Sequence, residues 1–374
     1  MLFALSDTGR GHRSVAEAIA RSLRQADPTI VCEIVDVYRD LRVPILNHAG
    51  TIYAAVSRSH IEIHNMWSIA LDGTSRSRGA ARLLYALVAK RLIRLVNERR
   101  PDIVVSTHPL FLSDLFARAR TTLDVQFLLA TVVSDPISVH ASWAAPASDL
   151  TFVVTDEAER QVIQLGVPSD RVRRVEFPVH PDLLSPSSRS EARQHLGLPR
   201  ESPVALIGGG GAGSGNPEAI GRTLQAAGWP GSIIVAAGTN QRLARNARDF
   251  AIAISDPQSV FDALRSADVF ITKAGPSAIF EAAAVGVPLI LTKEVGRQER
   301  GNAKFAERTL GAVQWRAATA SSLVASASSP QHATRQPNLA LTGGAAQISA
   351  HLLSLIGTGS ARTPNTQASH SGSH

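Results

Sequence analysis

Short runs of apolar and β-branched residues recur along the chain, each followed by a loop of small or polar residues and an amphipathic stretch. The first run is Leu2–Leu5, and helical spacing follows over His12–Gln25. Strands that alternate with helices predict parallel sheets covered on both faces, an α/β fold. Such sheets bind ligands beyond the carboxyl ends of their strands, so we expect functional residues in the strand-to-helix loops. The other predicted strands are Ile30–Val35, Ile103–Val105, Val125–Ala130, Phe152–Val154, Val204–Ile207, Ser232–Val235, Val269–Ile271 and Pro288–Leu291.

The length of 374 residues, with 44% apolar residues, predicts two domains rather than one. The stretch Pro181–Pro203 is rich in Pro, Ser and Arg and precedes a fresh strand, which favours a connection between domains. An apolar stretch over Ala345–Ile356 predicts a last helix. We therefore predict a first domain over 1–182, a second over 183–335, a C-terminal helix over 336–357 and a disordered tail over 358–374.

The formal net charge of +7 and the pI of about 10.2 suit nucleic acid, anionic lipid or phosphorylated substrates. Nucleic acid is the weakest of these, because aromatic residues make up only 5% and zinc-finger spacing is absent from the sequence. The sequence has neither a spanning apolar run nor a secretory leader pattern. The single Cys32 excludes an internal disulfide, fits a reducing cytoplasm and is interpreted as a core residue.

Four motifs in loops could carry chemistry. The first, Ser6–Arg13, follows the first strand, and its His12 either activates a hydroxyl or merely caps the helix. The second, Gly208–Gly215, is neither a Walker loop nor a clean dinucleotide fingerprint, yet its glycines suit a phosphate better than a flexible linker.

The third motif is Ile271–Glu281, in which Gly275 and Pro276 predict a helix start. Glu281 then falls about one turn into the helix, where it either binds a ribose diol or complements the helix dipole. The fourth is Ser134–Trp143, whose Asp135, His140 and Trp143 either line an acceptor cleft or form an ordinary loop.

Two further stretches could contact a membrane. The helical stretch Arg82–Arg100 combines basic residues with the apolar stripe Leu84, Val88, Leu92 and Leu95. That stripe either faces lipid or packs on the sheet while the arginines stay solvated. The loop Tyr53–Gly79 mixes apolar and basic residues and is the better candidate for contact with lipid headgroups.

Together these motifs resemble the family of monogalactosyldiacylglycerol synthases and processive diacylglycerol glucosyltransferases, relatives of the peptidoglycan N-acetylglucosaminyltransferase. The resemblance extends from Leu2 to about Trp315. The segments that carry it are Asp7–His12, Pro101–Pro109, Ser134–Trp143, Ile271–Glu281 and Gln298–Asn302. The resemblance implies a GT-B fold, in which two Rossmann-like domains face a cleft and the second domain binds a UDP-sugar.

The resemblance also implies a role for each matching residue. The diphosphate would lie among Gly209, Gly210, Gly211, Gly213, Gly275, Pro276 and Ser277. Glu281 would hold the ribose, Gln298 and Glu299 the donor sugar, and the segment that begins at Ser255 the uracil. His12 would activate the acceptor hydroxyl, with Asp135 as the second candidate. Gly11, His140 and Trp143 would contact the acceptor.

The implied reaction is an inverting transfer of galactose or glucose from a UDP-sugar to 1,2-diacylglycerol, which yields a β-glycosyl-diacylglycerol. It implies no cofactor and no metal, the UDP-sugar being a co-substrate, and a cytoplasmic enzyme held peripherally on the anionic inner face of the plasma membrane. The sequence departs from the family pattern at Arg10, where Gly is usual, at Ser134, where Thr is usual, and at Ala274, where Pro or Ser is commoner.

Three alternatives stay open. The chain could transfer N-acetylglucosamine to a polyprenyl-diphosphate acceptor, although the segment Pro101–Pro109 and the loop around His140 favour the diacylglycerol branch. It could be a UDP-sugar epimerase of the same architecture. It could also be a binding protein without activity, which the intact His12, Asp135 and Glu281 argue against.

Overall fold

The computed structural model describes residues 1–7, 10–43, 72–123, 126–185, 188–211, 213–294, 296–327 and 339–359. The predicted lipid-facing loop falls mostly on residues 53–71 and the predicted tail mostly on 360–374; both of these ranges lie outside the described residues.

The first sheet contains six described strands, all parallel, in the order β2-β1-β3-β4-β5-β6. Its second strand, β1, is buried at every residue, and Leu2 pairs with Glu33 on one side and Val104 on the other. A wholly apolar strand of this kind needs cover on both faces. The strands are β1 Leu2–Leu5, β2 Glu33–Asp36, β3 Ile103–Ser106, β4 Leu128–Val133, β5 Leu150–Val153 and β6 Val172–Arg174.

The second sheet has the same character, with six described parallel strands in the order β12-β11-β10-β7-β8-β9. Its strands are β7 Val204–Gly208, β8 Ser232–Ala236, β9 Ile252–Ile254, β10 Val269–Thr272, β11 Leu289–Leu291 and β12 Val313–Gln314. The predicted α/β fold with parallel sheets is thus confirmed. The short strands β6, β9 and β12 were not predicted.

The helices cover both sheets. The helices α1–α7 are α1 Arg10–Ala26, α2 Val37–Asp40, α3 Thr74–Arg99, α4 Leu112–Arg120, α5 Asp156–Gln164, α6 Pro181–Leu184 and α7 Arg189–His195. The helices α8–α14 are α8 Pro217–Ala226, α9 Gln241–Ala247, α10 Pro257–Ser266, α11 Pro276–Val285, α12 Asn302–Leu310, α13 Ala317–Ala327 and α14 Gly344–Gly359. The helices α6 and α7 lie inside the stretch 181–203, which the sequence analysis interprets only as a connection.

Helix α3 settles the orientation of the predicted basic helix. Val88, Leu92 and Leu95 of the predicted stripe are buried against the first sheet, and Leu84 packs beside them. The stripe therefore faces the core, which agrees with the interpretation that it packs on the sheet rather than on lipid.

The last helix, α14, returns from the second sheet to the first. Ile348 and Leu352 are fully buried in a cluster that also contains Ile19 of α1 and Phe152 of β5. The Ser349 hydroxyl donates to the Ile19 carbonyl oxygen at 3.4 Å. In the same cluster the rings of Phe177 and Phe280 stack with centroids 4.3 Å apart, so the two halves share one apolar core.

Candidate active site

The loop after β1 places His12 in the first turn of α1. This loop is held by Arg13, whose guanidinium donates to both carboxylate oxygens of Asp7 at 2.7 and 2.8 Å. The Asp7 backbone N–H in turn donates to the Asp36 carboxylate at 3.2 Å. The His12 ring lies at the carboxyl end of the strand, and its buried Nδ1 has no hydrogen-bond partner among the described residues.

A second histidine, His108, lies against the first. The two ring centroids are 4.3 Å apart in an edge-to-face arrangement, and the Thr107 hydroxyl donates to the His12 carbonyl oxygen at 3.2 Å. Burial lowers the pKa of His12 to about 4; a hydrogen bond to the Thr107 backbone opposes this, and the charge of Lys273 adds to it. Burial, with the nearby His12, holds the pKa of His108 well below its usual range. Both rings are therefore neutral at pH 7.

Asp135, from the loop after β4, is oriented by Trp143. The indole Nε1–H donates to Asp135 Oδ2 at 2.6 Å, and the centroids of the Trp143 and His12 rings are 5.8 Å apart. Burial raises the pKa of Asp135 to about 7; the Trp143 hydrogen bond and Lys273 oppose the rise, and Glu299 adds to it. This carboxyl group consequently titrates close to neutrality.

The predicted acceptor contacts take different places. Trp143 is 1% exposed within a core cluster, so its burial does not support direct contact with an acceptor, and the indole instead orients Asp135. His140 is half-buried, and its Nδ1 accepts from the Ser142 backbone N–H at 3.1 Å, which caps the short 3-10 turn Ala141–Trp143. Gly11 lies in the cleft, where a Cβ would stand 3.2 Å from the Ser277 hydroxyl.

In the second half, the glycine-rich loop follows β7, as predicted. The Gly213 backbone N–H donates to the Gly210 carbonyl oxygen at 3.0 Å and closes the turn. The φ angles of Gly213 and Gly210 are both positive, at 61° and 64°. The loop approaches its surroundings closely: a Cβ on Gly211 would stand 2.6 Å from the Arg10 backbone nitrogen. A Cβ on Gly210 would stand 2.9 Å from Lys273 Cε. Any larger residue would block this approach.

The start of α11 has the predicted form. Gly275 is the N-cap residue, Pro276 the first helical residue, and Ser277 follows it. The first turn of a helix offers free N–H groups and a positive dipole end, which suit an anion. Glu281 lies further along α11, and burial raises its pKa to about 7, against the charge of Arg10 and a hydrogen bond from Ser14. Arg10 and Ser14 belong to α1, so Glu281 lies where the two halves meet.

Lys273 is a site residue that the sequence analysis did not select. It directly follows β10 and forms an ion pair with Glu299, which is 2% exposed in the 3-10 turn Arg297–Glu299. The sequence did contain a signal for Lys273, because a cation at the carboxyl end of a buried strand is unusual and such loops bind ligands. Gln298 lies half-buried beside Glu299. Ser255 lies just after β9, and its carbonyl oxygen accepts from Arg10 at 3.4 Å.

The structure thus gathers most of the predicted residues into one cleft between the sheets. His12 and Asp135 come from the first half, and the glycine loops, Glu281 and Glu299 from the second. Two contacts tie the cleft walls further: Ser138 Oγ donates to the Arg300 carbonyl at 2.8 Å, and Arg297 pairs with Asp72 at 3.4 Å. In the part of the chain that the structure describes, no group of three or more His, Cys, Asp or Glu side chains could hold a metal.

Solved structures with the same fold include a UDP-GlcNAc 2-epimerase and MurG. The UDP-GlcNAc 2-epimerase of Neisseria meningitidis bound to UDP-GlcNAc has a TM-score of 0.57 at 12% identity, covering 94% of this chain and 99% of that one. MurG of Acinetobacter baumannii has a TM-score of 0.52 at 15% identity, covering 96% and 99%. This likeness shows the GT-B fold that the resemblance predicted.

Curated proteins similar in sequence include monogalactosyldiacylglycerol synthases of plants. The chloroplastic monogalactosyldiacylglycerol synthase of Spinacia oleracea is 28% identical over 329 residues, 82% of this chain and 61% of that protein. Monogalactosyldiacylglycerol synthase 1 of Arabidopsis thaliana is 26% identical over 328 residues, 82% and 60%. This chain therefore spans about three fifths of the length of these relatives.

The two halves of the chain match two family profiles. Residues 12–179 match the monogalactosyldiacylglycerol (MGDG) synthase profile, and residues 255–334 match the C-terminal domain of glycosyltransferase family 28. The first match begins at His12, and the second contains Ser255, Glu281 and Glu299. With both profiles matched in this order, the chain combines an MGDG synthase domain with a C-terminal domain of glycosyltransferase family 28, in the GT-B fold.

Proposed function

We propose that the protein transfers a hexose from a UDP-sugar to the free hydroxyl of 1,2-diacylglycerol, with inversion at the anomeric carbon. The observation that supports this most directly is the meeting of His12 and Asp135 with Lys273 and Glu299 across one cleft. Galactose is the first choice of sugar, because the similar plant proteins are named monogalactosyldiacylglycerol synthases.

In the proposed reaction the acceptor oxygen bonds to the anomeric carbon while the bond from that carbon to the β-phosphate oxygen breaks. His12 takes the acceptor proton, and UDP leaves with the electron pair. His12 is available for this role because its ring is neutral at pH 7 and its Nδ1 has no partner in the described part of the chain. Asp135 is the second candidate base, since its pKa near 7 leaves much of it ionised at neutral pH.

The negative charge of the departing UDP needs stabilisation. We assign this to the backbone amides of the glycine-rich loop, the N-terminus of α11 and the ammonium group of Lys273. Lys273 lies beside both loops, since its Cε approaches Gly210 and its Nζ is 3.0 Å from where a Cβ of Gly275 would be. Glu281 would hold the ribose hydroxyls, and Gln298 with Glu299 the hexose.

The acceptor is a lipid, so we also propose that the first half rests on an anionic membrane. No helix within the described ranges is long and apolar enough to cross a bilayer. On the outer face of α3, however, Leu83 and Leu87 are 72% and 78% exposed. Helical spacing places the exposed Arg76, Lys90 and Arg94 in the same stripe. Apolar side chains among cations favour an anionic lipid surface.

The membrane proposal is tested by sedimentation with vesicles of phosphatidylglycerol and phosphatidylcholine. The double variant Leu83→Ser, Leu87→Ser should bind several-fold more weakly, because two exposed leucines lose their burial in lipid. Val31→Ser is the matched control, since Val31 is 77% exposed near the Met1 end of the first sheet. Equal binding of the double variant and the control would refute a lipid contact by this face.

The reaction itself is tested by a transfer assay with radiolabelled sugar. Purified protein meets UDP-galactose, UDP-glucose or UDP-N-acetylglucosamine, each with diacylglycerol in anionic vesicles and with EDTA present. We expect a glycosyl-diacylglycerol from one hexose donor and the β anomer by NMR. Sugar released or epimerised without acceptor would instead identify an epimerase, and UDP binding without any product would contradict diacylglycerol as the acceptor.

A further inference from the structure

Arg10 is a cation of the first half that reaches into the second. It is the first residue of α1, and its Nη1 donates to the Ser255 carbonyl oxygen at 3.4 Å. Its stem lies on the glycine-rich loop, because a Cβ on Gly211 would stand 2.7 Å from Arg10 Cγ. The guanidinium therefore extends from the proposed diphosphate loop towards the proposed uracil segment.

The charge of Arg10 lowers the pKa values of two carboxyl groups of the second half. It opposes the rise that burial imposes on the pKa of Glu281, and it contributes to the lowered pKa of Asp256, whose main cause is the hydrogen bonding of Ser259. The guanidinium thus lies in the electrostatic field of the proposed donor pocket, on the side that faces the other domain.

Arg10 is also held far more loosely than its neighbour Arg13. Arg13 makes two short bonds to the Asp7 carboxylate, at 2.7 and 2.8 Å. The bond of Arg10 to Ser255 is long and exposed, and it engages one Nη1–H of a guanidinium that has five N–H groups. Arg13 is committed to the structure of the loop, whereas Arg10 can change partners at little cost.

Lys273, the other cation beside these loops, is paired with the buried Glu299. Part of its charge is therefore already compensated before any ligand arrives. A diphosphate carries more than one negative charge, and the leaving UDP gains a further one as the sugar bond breaks. Beside the backbone amides and the N-terminus of α11, a second cation would balance more of that charge, and a guanidinium binds phosphate in a bidentate manner.

We propose that Arg10 leaves the Ser255 carbonyl when the donor binds and pairs with its diphosphate. This inference rests on the proposed function and names the cation that the first half supplies to the leaving group. Arg10 takes part in no covalent step; its bonds to the β-phosphate strengthen as negative charge develops there. Because it belongs to α1, the same contact joins the two halves around the bound donor.

The test compares the affinities of UDP, UMP and uridine by isothermal titration calorimetry. Arg10→Gln should weaken UDP binding on the order of 10-fold or more, because a charged hydrogen bond is lost. UMP should lose less, and uridine should stay within about twofold of wild type, which also shows that the variant is folded. Arg10→Lys should recover part of the UDP affinity. In the transfer assay kcat should fall with Arg10→Gln.

The matched control is Arg24→Gln. Arg24 lies on the same helix, and its guanidinium donates to the Cys32 carbonyl at 3.0 Å, away from the cleft. Unchanged UDP affinity in Arg10→Gln overturns the inference. Equal losses for UDP and uridine overturn it too, since Arg10 would then act on the nucleoside. If wild type binds UDP but transfers nothing to diacylglycerol, the proposed function fails while this comparison still decides the role of Arg10.

Discussion

Both halves of the molecule contain a parallel sheet of six described strands, but they contribute different kinds of groups to the cleft. The first half contributes buried side chains with displaced pKa values, namely His12, His108 and Asp135. The second contributes mainly backbone: the glycine-rich loop and the N-terminus of α11. Displaced pKa values suit proton transfer, whereas amides and helix ends suit a phosphate group. Under the proposed function, the first half would therefore supply side chains for catalysis, and the second half would bind the donor mainly with its backbone.

The largest effect should come from His12. We expect His12→Ala to lower the transfer rate about 10³-fold, within the range for loss of a general base. UDP affinity should change less than about threefold, because the ring contacts groups of the first half. Single-turnover rates and calorimetry check the two quantities. His195→Ala, at an exposed histidine of α7, is the control, and a parallel loss of UDP binding in His12→Ala would break the division between the halves.

A methyl group on the glycine-rich loop should have the opposite outcome. Gly211→Ala places a Cβ 2.6 Å from the Arg10 backbone nitrogen, so the loop must shift. We expect UDP to bind roughly 30-fold more weakly, about 2 kcal/mol, a usual cost of overpacking. Gly79→Ala is the control, since a Cβ there would meet no atom of the described residues within 4 Å. Normal UDP affinity with slowed transfer would place this loop on the catalytic side instead.

The burial of Asp135 should make the free energy of unfolding depend on pH. Because its pKa in the folded state is near 7, above the 3.8 of the free side chain, the folded protein keeps a proton that the unfolded chain loses. This contribution makes stability fall as pH rises from about 4 to about 7. Asp135→Asn keeps an acceptor for Trp143, and it should raise the free energy of unfolding by about 1–2 kcal/mol at pH 8. The gain should vanish towards pH 4, and urea denaturation at both pH values tests this.

Glu281 should give the smallest effect. We expect the Glu281 carboxylate to hold the ribose of uridine. Because the pKa of Glu281 is near 7, this carboxylate forms as the pH rises through 7, and uridine should then bind more tightly. Glu281→Gln should bind uridine about fivefold more weakly at pH 8 and lose this pH dependence, a difference of about 1 kcal/mol. Glu201→Gln, at an exposed residue, is the control. A pH dependence that survives in Glu281→Gln would contradict the ribose assignment.

The fold was predictable where the local pattern is strong. The strand Leu2–Leu5 is predicted to the residue, and Gly275 with Pro276 marks the start of α11 correctly. Of the four edge strands described, β6, β9 and β12 were missed because they are short and partly exposed: Ile252 of β9 is 39% exposed and Val313 of β12 is 54% exposed. Helix α7 was missed although Ser188 and Glu191 form a capping box there, a signal present in the sequence.

The sequence predicted the separate loops of the candidate site but not the contacts between them. Loops after parallel strands could be named one by one, because strand ends and glycines are local features. Lys273, His108 and Ser14 were not selected, since each looks ordinary until its partner is known. Trp143 was assigned to the acceptor, yet its indole is buried on Asp135.

Residue order and local chemistry were sufficient to determine that this chain forms two parallel sheets with ligand loops at their carboxyl ends, because apolar periodicity and turn residues act over short distances. The tertiary structure alone decided which loops meet. Arg10 and Ser255 are 245 residues apart, and Lys273 and Glu299 are 26 apart. The first contact depends on how the two halves pack against each other, and the second on how two loops of the second half come together. The pKa values of His12, Asp135 and Glu281 depend likewise on tertiary structure, because burial displaces them.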